Sequence, residues 1–160
     1  MSPFQKDFIA TVLKKLNEIL SNPHEINTTV SSFTRNSNDS RYKGTSCMSN
    51  PELWTPNNAQ YFKAAVFEAI ARATVIIKNK GYCFEDEFLK EIHQATTLFK
   101  DTVSLRITQI SSTDNPLEQV RTNIVAIQSD YAEENPYPFF SYVAAGVAIA
   151  AGAAAIYLKK

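Results

Sequence analysis

The stretch whose reading decides the fold comes last: Phe139–Lys160, FFSYVAAGVAIAAGAAAIYLKK. No charged residue lies between Glu134 and Lys159. A helix from Phe139 to Leu158 would be about 30 Å long at roughly 1.5 Å per residue, which is the hydrocarbon thickness of a bilayer. A helix packed in a water-soluble bundle keeps a polar face, whereas here only Ser141, Tyr142 and Tyr157 are mildly polar. Tyr137, Phe139, Phe140 and Tyr142 gather at one end, and Tyr157, Lys159 and Lys160 close the other, as interfacial aromatics and snorkelling lysines do. The sequence therefore predicts a C-terminal transmembrane helix, with 136–160 as a membrane anchor and the lipid bilayer as its partner. The competing reading is a fully buried, alanine-rich helix at the centre of a soluble protein.

At about 100° per residue, Ala144, Ala145, Ala148, Ala151, Gly152 and Ala155 fall on one stripe free of Val, Ile and Leu. Small residues let helix backbones approach closely in lipid, so this stripe is a candidate packing face for a homodimer.

The rest of the chain, 1–135, is long enough for one domain with its own core. Four glycines in 160 residues argue against phosphate-cradling loops and the dense turns of an all-β fold. Ser2, Pro3 and Gln5 form a helix-start signature. After it Phe4, Phe8, Ile9, Val12, Leu13, Leu16, Ile19 and Leu20 recur at helical spacing and stop before Pro23. Residues 22–50 are rich in Asn, Ser and Thr without a sustained period, which predicts a long polar loop, either disordered or wrapped over the surface. Asn50-Pro51 opens a single turn, which Trp54 anchors to the core, and Thr55-Pro56 opens a second helix. That helix buries Ala59, Phe62, Ala65, Val66, Ala69, Ile70, Ala73, Ile76 and Ile77, pairs Glu68 with Arg72, and is capped by Gly81. A third helix starts near Phe84 in the acidic turn Glu85-Asp86-Glu87 and runs through Phe88, Ile92, Ala95, Phe99, Val103, Ile107 and Ile110. A fourth, capped by Thr113 or Asp114 with Pro116 in its first turn, carries Leu117, Val120, Ile124, Ile127 and Tyr131, and forms an antiparallel hairpin with the third. The fold class is thus all-α: about four helices, a long polar loop after the first, and the C-terminal span.

Sixteen basic and sixteen acidic residues balance. No long-range field draws such a chain onto nucleic acid, and none is expected as a partner. Cys47 and Cys83 lack CxxC spacing and read as two unpaired thiols in a reducing compartment. His24 lies in the loop and His93 in mid-helix, without the HExxH or ExxH spacing of helix-borne metal ligands. No GxSxG or Walker-type motif occurs. The sequence predicts no catalytic, cofactor-binding or metal-ligating residue, and no enzyme.

The N-terminus carries Lys6, Asp7, Lys14 and Lys15 where a secretory signal needs an apolar core. Positive-inside counting of Lys159 and Lys160 against Glu133 and Glu134 puts the C-terminus in the cytosol, but without a signal the body is expected to stay cytosolic. The layout then resembles tail-anchored proteins, and the mildly apolar span followed by lysines is similar to the tails of that class on the mitochondrial outer membrane. The resemblance implies that membrane, or another intracellular one, as the location. Helical body, long early loop and C-terminal anchor also resemble the layout of the helical cell-death regulators; Trp54 is followed by Thr55-Pro56 where that family has Gly-Arg, and no Leu-x-x-x-Gly-Asp occurs. The function expected is a single-pass, tail-anchored interaction or adaptor protein with an unknown protein partner. The alternatives are a pore-forming or membrane-remodelling protein and a cell-death regulator. A pathogen protein introduced into a host cell satisfies the same criteria.

Overall fold

The structure, a computed structural model, describes residues 1–22, 24 and 51–131. Within them the expected all-α bundle is present, built from four helices. The predicted transmembrane helix, and most of the predicted polar loop, lie outside the described residues.

Helix α1, Pro3–Leu20, starts as its first residues dictate. The Gln5 amide donates to Ser2 Oγ and the Ser2 amide to Gln5 Oε1, each at 3.1 Å, so two of the donors a helix start orphans are satisfied reciprocally. Phe8, Ile9, Val12, Leu13, Leu16 and Ile19 are completely buried. With Phe4 and Leu20 they cover an arc of about 180°, wider than the stripe of a surface helix. The width has a cause: α1 packs chiefly on α2 (Pro56–Lys80), and also touches α3 (Glu85–Leu98) and α4 (Pro116–Gln128). Each fully buried large side chain contributes about 1.5–3 kcal/mol, so α1 is the hub of the core.

Before α2, Pro51–Leu53 form one 3₁₀ turn. Trp54 is buried, with its ring 5.6 Å from that of Phe62. Thr55 Oγ1 caps α2 by accepting from the Asn58 amide at 3.2 Å, and Phe62, Ala69, Ala73 and Ile77 are fully buried. The Glu68–Arg72 pair forms at 2.8 Å.

Helix α3 shows how an imperfect repeat is accommodated. From Ala95 its buried positions step by four to Phe99, Val103 and Ile107. At about 100° per residue, three such steps would rotate Ile107 roughly 120° away from Ala95 in a straight α-helix. The backbone widens instead. Phe99–Val103 is a π turn, in which the Ser104 amide donates to the Phe99 carbonyl, and a last α turn, Ser104–Ile107, follows. One extra residue per turn absorbs the drift, and Phe99, Val103 and Ile107 stay fully buried.

Helix α4 is capped by Asn115, whose side chain accepts from the Glu118 amide at 3.3 Å. The expectation of Thr113 or Asp114 is corrected: Pro116 occupies the first helical position, which leaves the residue directly before it as the cap. Asn123 Nδ2 donates to the carbonyls of Ile107 at 2.8 Å and Gln109 at 3.0 Å. It thereby closes the end of α3 from across the hairpin. Val120, Ile124, Ile127 and Tyr131 complete the core as expected.

Candidate functional site

Between α2 and α3 the chain turns within Gly81–Phe84. Gly81 takes φ 68°, ψ 37°, a left-handed conformation that only glycine adopts without strain. That turn brings Lys80 and Tyr82, on either side of it, to the same carboxylate. Asp7 of α1 is buried. Lys80 Nζ lies 2.8 Å from its Oδ1 and 2.6 Å from its Oδ2, and the Tyr82 hydroxyl donates to Oδ2 at 2.5 Å. Thr11 Oγ1, one turn along α1, donates to the Asp7 carbonyl at 2.7 Å.

A carboxylate taken out of water costs several kcal/mol unless charge and hydrogen bonds replace the lost hydration. Lys80 and Tyr82 supply both. The result is a clamp that ties the α2–α3 corner to the first turns of α1. Aromatic packing reinforces it: Phe4 stands edge-on to Tyr82, with ring centroids 5.7 Å apart, and edge-on to Phe88 at 6.2 Å.

Phe84 sits on this braced corner. It occupies the N-cap of α3, where it offers no side-chain hydrogen bond, and it is 84% exposed. The caps of the other helices, Ser2, Thr55 and Asn115, all accept a backbone N–H. Choosing Phe over such a residue forfeits about 0.5–2 kcal/mol of capping, and here the ring is not buried in return. A position that serves the fold so poorly is expected where something else uses it. Glu87 and Glu91 follow at intervals of one turn, which places them beneath Phe84 and Phe88. Their proximity is felt at Cys83, whose thiol is raised above its ordinary range first by desolvation and then by the charges of Glu87 and Glu91.

This arrangement holds a shape and presents a surface. The upward shift of the Cys83 thiol favours its protonated form, the opposite of what a nucleophile needs. His24 and His93 are both exposed. Among the described residues no group of His, Cys, Asp and Glu could hold a metal ion. The residues singled out by sequence, Ala144, Ala148, Ala151, Gly152 and Ala155 for helix packing and Tyr137, Phe139, Tyr142, Tyr157, Lys159 and Lys160 as interface anchors, lie outside the described residues. Sequence reasoning missed the clamp, because Asp7 sits at the edge of the α1 apolar face and its partners are 73 and 75 residues away. Phe84 left a readable trace: an acidic helix start with no capping residue ahead of it.

Comparison with known proteins adds the family. The family model described as effector protein MavE matches residues 4–137, a segment that contains the corner and all four helices except the first residue of α1. The chain belongs to the MavE effector family. The effector protein MavE of Legionella pneumophila subsp. pneumophila, strain Philadelphia 1, is 28% identical over 169 residues, covering 98% of this chain and 79% of its own length. The crystal structure of the Legionella effector protein MavE superposes with a TM-score of 0.64 at 25% identity, over 80% of this chain and 92% of that one. The family's name carries no reaction.

These findings correct the functional expectation. The chain is a member of an effector family, not a tail-anchored adaptor, and the pore-forming, membrane-remodelling and cell-death readings, with the location at a mitochondrial or other intracellular membrane, fall with it. Among the described residues no helix is long and apolar enough to cross a membrane. The functional expectation rests on the uncharged run Phe139–Leu158, which lies outside the described residues. The family model that shows the membership matches residues 4–137 and ends before that run.

Proposed function

We propose that this chain is an effector that works by holding a protein of the cell it enters, and that the α2–α3 corner is its docking surface. One observation carries the reading: Phe84 is 84% exposed at a helix cap, on a corner that Asp7, Lys80, Tyr82 and Phe4 hold in a single shape. Large aromatic side chains presented on a rigid support are the usual anchors of protein interfaces, and bracing before contact lowers the ordering cost of association. Membership of a family named for its effector role supports the same view.

The test is site-specific photo-crosslinking in a cell that receives the full chain. A photoreactive phenylalanine analogue at position 84 should give discrete protein adducts, and the same analogue at Val75, an α2 position 61% exposed, should not. Equal labelling from both positions, or none from position 84, would refute the assignment.

A further inference from the structure

We infer that the partner segment seated at this corner is basic and amphipathic: an apolar side chain against Phe84, flanked by lysine or arginine. The inference deepens the docking reading above and rests on it. Its ground is charge complementarity around an exposed ring. Glu85, Asp86, Glu87 and Glu91 lie within two turns of Phe84. Of these, Glu85 is engaged by Lys78 at 3.0 Å. Among the described residues no ion pair compensates Asp86, Glu87 or Glu91, and Lys90 on the same helix joins none of them.

The first-turn carboxylates are favoured by the helix dipole, but the dipole fades within that turn and does nothing for Glu91 in the next. Glu87 and Glu91 lie on the flank that Cys83 shares, as their effect on its thiol records. The Phe84 ring therefore has uncompensated negative charge beside it. An acidic or neutral apolar segment would meet repulsion or leave these carboxylates partly desolvated without partners, whereas a basic one pairs with them. Discrimination of this kind is what interface charge achieves best.

The probes are three synthetic peptides sharing one leucine face and differing only on the opposite face, which is all lysine, all glutamine or all glutamate. Each is titrated against the full chain by fluorescence anisotropy. The lysine peptide should bind about tenfold tighter than the glutamine peptide, and the glutamate peptide weakest. Glu87→Gln with Glu91→Gln should erase that order, and Phe84→Ala should weaken the lysine peptide about tenfold. Phe84, Glu87 and Glu91 are not core residues, so circular dichroism of each variant should match the unaltered chain. Equal binding of the lysine and glutamine peptides, both weakened by Phe84→Ala, would overturn the charge assignment and leave the docking reading standing. Binding that ignores Phe84→Ala, or no binding of the lysine peptide, would overturn both.

Discussion

Lys80, the last residue of α2, places its Nζ 2.6 Å from Oδ2 of Asp7 in α1, across 73 residues of sequence. The pair is asymmetric: the Asp7 side chain is 6% exposed and that of Lys80 is 38% exposed. Removal of one partner is therefore not equivalent to removal of the other. Lys80→Ala leaves a buried carboxylate without its ammonium and should cost about 2–4 kcal/mol. Asp7→Asn keeps an acceptor for Tyr82, and the released lysine can turn to water, so it should cost about 1–2 kcal/mol. Urea denaturation of both variants checks the order; a larger loss for Asp7→Asn would contradict it.

Asn123 closes the end of α3 by donating to two carbonyls at once. Asn123→Ala should destabilise the chain by about 1–2 kcal/mol with an unchanged urea slope. Asn123→Asp turns a carboxylate toward those carbonyls and should be worse. Equal stabilities of the two variants would show that the bonds do not carry the effect.

The π turn makes α3 tolerant of a deletion at one place only. Removing the exposed Thr102 converts the five-residue turn to an ordinary one while Val103 and Ile107 stay on the buried face. Removing His93, equally exposed, rotates everything after it by about 100° relative to Phe88. Thermal unfolding should show a native-like melt for the first variant and none for the second.

Much of this bundle was legible before any coordinates. The capping box at Ser2, the α1 apolar positions, Gly81 as a helix end and the Trp54 anchor are all local patterns, and periodicity reads such patterns well. The π turn left only an indirect trace, the β-branched run within Thr102–Ile110, whose residues favour a regular helix less. Its cause, three consecutive steps of four, is visible once a helix is required to keep one face inward. The Asp7–Lys80–Tyr82 clamp was not legible, because a buried charge among apolar residues is specified by partners in another helix. Phe139–Lys160 lies outside the described residues; what the family match corrects is the function inferred from that run, because apolarity says which groups avoid water and not what task a protein performs.

Cys83 supplies a chemical probe of the corner. Desolvation, followed by Glu87 and Glu91, raises its thiol above the ordinary range, which disfavours the thiolate near neutral pH. Alkylation at Cys83, followed site by site in the mass spectrum, should be slow at pH 7 and accelerate as pH rises. Glu87→Gln with Glu91→Gln should bring the rate up at neutral pH, since removing two negative charges favours the thiolate. An unchanged rate would place those carboxylates too far away to matter.

The most direct test is the affinity of the full chain and of its Phe84→Ala variant for the protein crosslinked at position 84, with both melting temperatures recorded. The account predicts binding about tenfold or more weaker at an unchanged melting temperature, because the ring is 84% exposed and holds nothing in the fold. Equal affinities would contradict it.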